Sequence, residues 1–351
     1  MTNTTEWITR SVSRLRSGAS STDKAPKASK PAADKPLADK QVADGAATKV
    51  PAPRSTHERL QATLRRGNES LSPRALRRLL ADLQDVVAPQ VSELEGGRRA
   101  QVVAGWYGQA EPEERRDMWL LLCEQFAPDA TRFQSARQRY EAAAGTADEG
   151  QAEISLRRAL VSPRTRLMQR FAVFPEGMRF LVDLRAELLP QLKSDKRLVA
   201  LDADLEHLFT TWFDVAFLEL RRLSWDSPAS LIEKLIKYEA VHDIRSWADL
   251  KNRLDSDRRC YGFFHPRLPN EPLIFVEVAL VDRISSSITP LLDEAAAPAD
   301  LKKATTAIFY SISNTQPGLR GVSFGDSLIK HVVETLTAEF PRLRTFATLS
   351  P

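Results

Sequence analysis

The stretch that decides the fold runs from Thr306 to Pro351 and reads TAIFYSISNTQPGLRGVSFGDSLIKHVVETLTAEFPRLRTFATLSP. Its first seven residues, Thr306 to Ile312, are rich in β-branched and aromatic residues, which is typical of a buried strand. Thr345 to Leu349 forms a second run of this kind. Between the two runs, apolar residues recur three and four positions apart from Phe324 to Phe340, which predicts an amphipathic helix. The order is therefore strand, loop, helix, strand.

The loop before this helix contains Gly318, Gly321 and Gly325. Glycine lets the backbone turn sharply and come close to a ligand, and the start of the next helix offers unpaired N–H groups to an anion. A diphosphate would fit that end of the helix. A glycine-containing connection between a strand and a helix is also common without any ligand, so the loop alone leaves both interpretations open.

The residues upstream of this stretch predict further strands and helices. Cys260 to His265 and Leu273 to Leu280 are short apolar runs bounded by proline, which is typical of strands. Leu208 to Leu220 is an apolar-rich run that we expect to be one helix, and Asp226-Ser-Pro228 is expected to cap another. We therefore interpret residues 197–351 as an α+β domain.

Residues 55–196 show helical spacing throughout, and we predict an all-helical bundle of about six helices with no strand. Start signals occur at Ser72-Pro73 and Glu111-Pro112, where a capping residue precedes a proline. Stop signals occur at Ala127-Pro128, Ser162-Pro163 and Phe174-Pro175. The many Arg-Arg and Arg-x-Arg pairs predict a solvated face, with a subunit contact as the alternative.

Residues 1–54 are of low complexity, rich in Ala, Lys, Pro, Asp and Ser. Such a composition buries too little apolar surface to offset its ordering entropy, so a disordered tail is expected. The opening Trp7 to Arg16 spaces basic and apolar residues somewhat like an organelle transit peptide, although Glu6 argues against this. We expect a cytoplasmic protein, with a mitochondrial or other organelle matrix as the alternative.

The composition limits the class of partner. The chain has 50 basic and 46 acidic residues and a net charge of +4, a balance that does not indicate nucleic-acid binding. No apolar run approaches the length of a membrane span. Cys123 and Cys260 are far apart and form no zinc motif. We therefore expect no nucleic acid, membrane or metal.

Two resemblances to known families follow from these motifs. Arg320-Gly-x-x-x-Gly325 before Leu328-Ile-Lys330 resembles the pyrophosphate loop of the GNAT acyl-CoA-binding fold, although Gly318 and Ser323 depart from its usual pattern. A longer series of phrases resembles malonyl-CoA decarboxylase in order and spacing over residues 162–351. These phrases are Trp225-Asp-Ser-Pro228, Arg258-Arg-Cys-Tyr261, Glu271-Pro-Leu273, Ile284-Ser-Ser286, Phe309-Tyr-Ser-Ile-Ser313-Asn-Thr-Gln316, Gly318-Leu-Arg-Gly-Val322, Leu328-Ile-Lys330, Glu339-Phe-Pro341 and Phe346-Ala-Thr-Leu-Ser350-Pro351.

The resemblance to malonyl-CoA decarboxylase implies a fold and an activity. A helical domain supports homo-oligomers, and a GNAT-like domain, here incomplete, converts malonyl-CoA to acetyl-CoA and CO2 without a metal or other cofactor. Catalysis must then stabilise an enolate oxyanion and protonate carbon. The family uses a Ser that matches Ser350 in this sequence, although a Ser before Pro at a strand end commonly just starts a turn. The loop residues expected to bind malonyl-CoA are Arg320, Gly321, Val322, Ser323, Phe324, Gly325 and Asp326.

The family's motif continues past its Ser-Pro, and its catalytic His and Tyr lie further on. With Pro351 as the last residue, we expect a fragment or short form with weak or absent activity. His331 is expected to face solvent, and His207, His242 and His265 to be structural or surface residues. The alternatives are an acyltransferase of the GNAT type, which would require an amine acceptor, and an inert fragment that self-associates. Some family members place a Glu where this chain has Ser323.

Overall fold

The computed structural model describes residues 70–322, 324 and 327–349, all within one unit that spans Thr56–Pro351. The tail predicted for residues 1–54 lies outside the described residues, as do the first residues of the predicted bundle. Among the residues described, no helix has both the length and the apolar character required to cross a membrane.

The first part of the described chain is helical, as predicted. Ser72 begins the first helix by accepting a hydrogen bond from the Ala75 N–H at 3.2 Å, and Glu114 accepts the Glu111 N–H at 3.0 Å at the start of the third. Residues 70–196 contain no strand in the structure. The α-helices described in this range are α1 (Pro73–Val86), α2 (Glu93–Gln109), α3 (Pro112–Gln125), α4 (Ala130–Ala143), α5 (Glu149–Leu160), α6 (Pro163–Phe171) and α7 (Gly177–Leu188).

The apolar run Leu208 to Leu220 is not the single helix that its composition predicts. Helix α8 spans Val199–Trp212 and ends there, a short 3₁₀ turn follows at Val215–Phe217, and strand β1 spans Glu219–Leu223. The side chain of Asp214 accepts the Ala216 N–H at 2.9 Å, so it competes with helical hydrogen bonding at this point. Pairing of β1 with the next strand then decides the conformation of the last residues.

The remaining elements build one five-stranded sheet. They are α9 (Ala229–Tyr238), α10 (Trp247–Arg253), β2 (Arg258–His265), β3 (Leu268–Val281), β4 (Thr306–Asn314), α11 (Ser327–Glu339) and β5 (Thr345–Thr348). The strands lie in the order β1-β2-β3-β4-β5, and the first four are antiparallel. Strand β5 pairs with β4 in parallel, from Thr306 opposite Thr345 to Phe309 opposite Thr348. The predicted strands are thus confirmed, and α11, described from Ser327 to Glu339, lies within the helix predicted for Phe324 to Phe340.

One hydrophobic core joins the helices to the sheet. It contains Leu181 of α7, Phe209 of α8, Val276 of β3, Phe309 of β4 and Val332 of α11, all buried. A smaller cluster fills the opposite face of the sheet under α9 and α10. The class is therefore α+β, as predicted, whereas the division between 196 and 197 stays a prediction.

One arginine of the pairs that were expected on a solvated face is buried. Arg157 and Arg158 are exposed, as predicted, but Arg164 of the Arg164-Thr-Arg166 pair has only 3% of its surface exposed. Its Nε donates to Asp204 Oδ2 at 2.7 Å, and its Nη1 donates to the Leu122 carbonyl at 3.2 Å. Burial of a guanidinium requires such partners, so Arg164 joins helices rather than facing water.

Candidate functional site

The glycine-containing loop lies where the parallel strand pair ends. It connects the end of β4 at Asn314 to the start of α11 at Ser327, and β5 runs beside β4 in the same direction. In sheets of this kind, ligands bind at the carboxyl ends of the strands and at the start of the following helix. The topology therefore places the loop at a position suited to an anionic ligand.

The first residues of the loop are fixed to the neighbouring strand and to helix α7. The Thr315 N–H donates to the Leu273 carbonyl at 3.1 Å, and Gln316 Nε2 donates to the Pro272 carbonyl at 3.0 Å. Gln316 Oε1 accepts from Arg179 Nη1 at 2.6 Å. Because both loop side chains are buried, this part of the loop is held in one position.

Residues Leu319 to Val322 form a tight turn. The Val322 N–H donates to the Leu319 carbonyl at 3.0 Å, Arg320 has φ −58° and ψ 131°, and Gly321 has φ +85°. These angles define a type II turn, whose third residue needs a positive φ. Glycine adopts this conformation without strain, which explains why Gly321 stands there.

A buried arginine of helix α7 holds this turn from the inside. Arg185 Nη1 donates to the carbonyl oxygens of Gly318 at 2.9 Å and Arg320 at 2.8 Å. Its Nε donates to Asp202 Oδ1 at 2.8 Å, and Glu206 Oε2 lies 3.6 Å from its Nη2. Arg185 is 1% exposed, so the two carboxylates of α8 offset the cost of burying its charge.

The structure brings three of the predicted binding residues into this turn. Arg320 and Gly321 are exposed, whereas Val322 is buried, so only its backbone can face a ligand. Phe324 is half-buried and packs against the main core. The predicted Ser323, Gly325, Asp326 and Ser350 lie outside the described residues, and their roles stay predictions.

Arg179 and Arg185 are the contacts to the loop that the sequence interpretation missed. A signal for Arg185 was present, because it stands four residues after Leu181 and three before Leu188, on the apolar face of α7. A charged residue on such a face requires a buried partner. The sequence alone does not identify that partner as a loop more than 130 residues away.

Ser350 directly follows the last described residue of the parallel pair. The Leu349 N–H donates to the Phe309 carbonyl at 2.9 Å, so hydrogen bonding between β5 and β4 extends to Leu349. The Leu349 side chain packs against the buried cluster that includes Ile308 and Tyr310. Strand β4 continues beyond this point to Asn314.

A polar cluster lies buried on the face of the sheet that α9 and α10 cover. Glu277 of β3 is fully buried between Cys260 of β2 and Ser311 of β4 in the strand register. Arg253 Nη1 donates to Glu277 Oε2 at 2.9 Å, while Glu277 Oε1 has no hydrogen-bond partner among the described residues. Burial raises the pKa of Glu277 to about 8 despite Arg253, and nearby Glu239 adds to the rise.

The rest of this cluster fixes the second half of β4. Glu239 accepts hydrogen bonds from Ser311 Oγ at 2.7 Å and Ser313 Oγ at 3.0 Å. The Tyr310 hydroxyl is buried without a partner among the described residues, and burial raises its pKa. Hydrogen bonds to Glu239 therefore hold the second half of β4, the strand that leads into the loop, in place.

The histidines do not form a catalytic group in the described residues. His331 was expected to face solvent, but it is half-buried, with its ring edge-on to Phe263 at 6.2 Å between centroids, because its side of α11 packs on β2. His265 is buried, its Nδ1 accepts the Arg267 N–H at 3.1 Å, and burial lowers its pKa. His207 is exposed.

Residues 70–322, 324 and 327–349 contain no cluster of side chains suited to a metal ion. Three or more His, Cys, Asp or Glu side chains do not come together there in a way that could hold an ion. Cys123 and Cys260 are both free thiols, and burial raises the pKa of Cys123 to about 11. Neither thiol has the lowered pKa of a nucleophilic cysteine.

Comparison with family models gives two matches that follow one another along the chain. Residues 126–213 match the malonyl-CoA decarboxylase N-terminal domain, and residues 216–351 match the malonyl-CoA decarboxylase C-terminal domain. The second range contains the whole sheet, the loop and Ser350.

Curated relatives and solved structures agree with these matches. The mitochondrial malonyl-CoA decarboxylase of Mus musculus is 37% identical over 265 residues, which is 73% of this chain and 54% of the relative. That of Anser anser anser is 42% identical over 201 residues, which is 55% of this chain and 40% of the relative. The chain thus spans about half the length of the curated relatives it matches.

Crystal structures of two bacterial proteins share the fold. The malonyl-CoA decarboxylase of Rhodopseudomonas palustris has a TM-score of 0.70 at 42% identity, covering 79% of this chain and 66% of the other. That of Agrobacterium vitis has a TM-score of 0.72 at 40% identity, covering 78% of this chain and 66% of the other.

Proposed function

Because the chain belongs to the malonyl-CoA decarboxylase family, we propose that its loop binds malonyl-CoA and that the protein acts as a carboxy-lyase, releasing CO2 and leaving acetyl-CoA. The loop from Thr315 onward is the part of the described chain that carries the proposal. In this loop, a turn with an outward-facing backbone N–H lies beside an exposed arginine and precedes a helix.

The geometry of the turn is the observation that supports coenzyme binding. The carbonyl of Arg320 points inward to Arg185, and the Gly321 N–H makes no hydrogen bond within the described residues. Arg320 is exposed, and a guanidinium matches phosphate oxygens in charge and geometry. The N–H groups at the start of α11 add a favourable dipole for a diphosphate.

We also propose that the sheet and loop form a GNAT-like acyl-CoA site. The topology supports this proposal: strands β1 to β4 are antiparallel, β5 pairs with β4 in parallel, and the loop and α11 connect β4 to β5. Strand β4 extends past the last paired residue of β5, and no described residue pairs with its backbone from Tyr310 onward on the β5 side. An extended chain such as pantetheine could hydrogen-bond there.

The chemistry requires little beyond hydrogen-bond donors and a proton. When the bond between the carboxylate carbon and the α-carbon breaks, CO2 leaves and the electron pair stays on the thioester as an enolate. A hydroxyl donor stabilises the enolate oxygen, and the α-carbon then takes up one proton to give acetyl-CoA. We propose Ser350 as that donor. The thioester delocalises the charge by itself, which supports a reaction that needs no metal or prosthetic group.

The test begins with binding and continues with turnover. Titration calorimetry should show that the chain binds coenzyme A and malonyl-CoA. Acetyl-CoA formation from malonyl-CoA should then need no amine, and the rate should fall by about 10²-fold or more in Ser350→Ala. A lack of coenzyme A binding at millimolar concentration would refute the proposal, and a rate that depends on an added amine would favour an acyltransferase instead.

We further propose that the protein forms homo-oligomers through its helical region and acts in fatty-acid metabolism. Exposed apolar residues on α2 and at the end of α5, such as Leu94, Val102 and Val161, support the first proposal. Analytical ultracentrifugation of the chain and of a Val102→Glu variant tests it, since a monomer in both would exclude it.

We also propose a location in the cytoplasm or in an organelle matrix. Free thiols at Cys123 and Cys260 support a reducing compartment, and the relatives from Mus musculus and Anser anser anser are named as mitochondrial. Expression of the chain with a fluorescent C-terminal fusion would separate the two compartments.

A further inference from the structure

Arg185 contacts the loop in a way that determines which direction one peptide group faces. A trans peptide is planar, so its N–H and C=O point in opposite directions. Arg185 Nη1 binds the Arg320 carbonyl oxygen at 2.8 Å from the interior. The N–H of the same peptide, which belongs to Gly321, must therefore point away from the interior.

The alternative conformation of this turn shows why the contact matters. Type I and type II turns differ mainly by a flip of the central peptide, here the one between Arg320 and Gly321. In a type I turn that carbonyl would leave Arg185, and the Gly321 N–H would turn inward. The other N–H groups of the turn are already used, because Arg320 donates to the Pro317 carbonyl at 3.1 Å and Val322 to Leu319 at 3.0 Å.

We propose that Arg185 is a positioning residue for the coenzyme: it holds the Arg320–Gly321 peptide in the type II orientation and thereby presents the Gly321 N–H to a diphosphate oxygen of a coenzyme A thioester. This inference rests on the proposed function, and it deepens that proposal by assigning a role to a residue of the helical region. Arg185 itself is buried beneath the turn and does not touch the ligand.

The surroundings of Arg185 fit this role. Its Nη1 spans two carbonyls of the loop, those of Gly318 and Arg320, so it fixes the turn at both sides. Asp202 and Glu206 of α8 hold the guanidinium from the opposite side at 2.8 and 3.6 Å. A guanidinium with donors in a fixed plane can satisfy these partners together, whereas a lysine ammonium cannot keep the same directions.

A purely structural role is the competing interpretation, and the chain offers a matched control for it. Arg164 is also a buried arginine of the helical region, bonded to Asp204 and to the carbonyl of Leu122, but none of its contacts reaches the loop. Replacing either arginine by lysine should cost stability. Only the change at residue 185 should alter the ligand site.

The experiment compares Arg185→Lys with Arg164→Lys in the full chain. Calorimetry gives the Kd of coenzyme A, and thermal unfolding gives the loss of stability in each variant. Selective labelling of the 14 glycines with ¹⁵N gives a direct readout of the turn, with the Gly321 amide signal identified by its absence in Gly321→Ala. We expect about tenfold weaker coenzyme A binding in Arg185→Lys, the scale of one lost charge-assisted hydrogen bond, and a change of at most twofold in Arg164→Lys.

The expected result for the turn is that coenzyme A shifts the Gly321 signal in the unsubstituted chain and not in Arg185→Lys. Unchanged affinity in Arg185→Lys would overturn the proposal, and so would an equal loss in Arg164→Lys. If the unsubstituted chain binds coenzyme A while the Gly321 signal stays fixed, the positioning role is wrong and the proposed function stands. If that chain binds no coenzyme A, the proposed function itself fails.

A milder substitution covers the case in which Arg185→Lys does not fold. Asp202→Asn keeps a hydrogen-bond acceptor for Arg185 Nε but removes the charge that orients the guanidinium. An intermediate loss of affinity, with the Gly321 signal less responsive to coenzyme A, would support the proposal. Affinity equal to that of the unsubstituted chain would count against it.

Discussion

Arg253 Nη1 lies 2.9 Å from Glu277 Oε2 at a point where the two side chains are only 1% and 0% exposed. Arg253 Nε also lies 2.7 Å from Asp249 Oδ1, so one guanidinium serves two buried carboxyl groups. A buried charge of this kind is tolerated only while its partners remain. The arrangement ties α10 to the centre of β3 and, through the pairing of β3 with β4, to the strand that precedes the glycine-containing loop.

Arg253→Met is expected to destabilise the fold strongly. It leaves the Asp249 carboxylate without a counter-charge and removes the donor to Glu277, and losses of this type cost about 3–5 kcal/mol. The free energy of unfolding in urea measures the effect. The matched control is Arg137→Met, whose partner Glu141 lies 2.8 Å away on the surface of α4, and that change should cost about 0.5 kcal/mol or less. Similar losses in the two variants would contradict the prediction.

The stability of the protein is expected to fall as the pH rises from 6 to 9. Burial raises the pKa of Glu277 to about 8 from its ordinary value of 4.5, so between these values the folded state holds a proton that the unfolded state has released. The stabilisation is therefore complete below pH 4.5 and is lost as the pH passes through 8, by an amount on the order of 2 kcal/mol between pH 6 and 9.

Glu277→Gln supplies the test of this pH dependence. The amide is neutral at every pH and close in shape to the protonated acid, so urea unfolding of the variant should lack the component of the slope that Glu277 contributes. If the variant and the unsubstituted chain lose the same free energy between pH 6 and 9, Glu277 is not the group responsible.

Gly318→Ala is expected to displace the glycine-containing loop from helix α7. A Cβ at position 318 would lie 1.9 Å from the carbonyl oxygen of Val182, which is backbone and cannot rotate away. We expect a loss of about 1–3 kcal/mol in stability, as for overpacked sites, and weaker coenzyme A binding by calorimetry. The control is Gly105→Ala, where a Cβ meets nothing within 4 Å in the middle of α2, and which should stabilise the protein by about 0.5–1 kcal/mol. Equal stability changes at the two positions would refute the prediction.

Ser350→Ala is expected to separate catalysis from binding. The substitution removes a hydroxyl that we place at the enolate oxygen, so the rate of acetyl-CoA formation should fall by about 10²-fold or more, the range seen when one such donor is lost. The Kd for coenzyme A should change less than twofold, because the binding contacts that we propose lie in the loop. A matching fall in affinity would show that Ser350 acts in binding rather than in the chemical step.

The sequence predicted most strands of the sheet but not the buried polar contacts that hold the loop and the helices in place. The runs at Cys260, Leu273 and Thr306 are rich in β-branched or aromatic residues, and proline bounds the first two, so local composition was sufficient to assign them. The first two residues of β1, Glu219 and Leu220, were mistaken for helix because they end the apolar run from Leu208, and only pairing with β2 makes them a strand. The type II turn at Gly321 agrees with the expected glycine loop, whereas the role of Ser350 stays a prediction.

The buried arginines mark the limit of local patterns. In the sequence, Arg164 and Arg185 resemble the exposed arginines near them. In the fold, carboxylates and carbonyls of distant residues accept their hydrogen bonds. The partners in these two contacts lie 40 and 133 residues away in the sequence, so the spacing of apolar residues within a helix cannot identify them. A charged residue on the apolar stripe of α7 was the one local sign that such a partner exists.

For the proposed coenzyme site, the contact between Arg185 and the loop couples the affinity for the ligand to the stability of helix α7. A ligand that binds only the folded loop stabilises every element that must be folded with it, by about 2.7 kcal/mol when its concentration is 100 times its Kd. Helix α7 carries Arg185 and shares the main core with the sheet, so it belongs to that set. This coupling is reciprocal, so a change that destabilises α7 lowers the affinity of the turn for the ligand by the same coupling free energy.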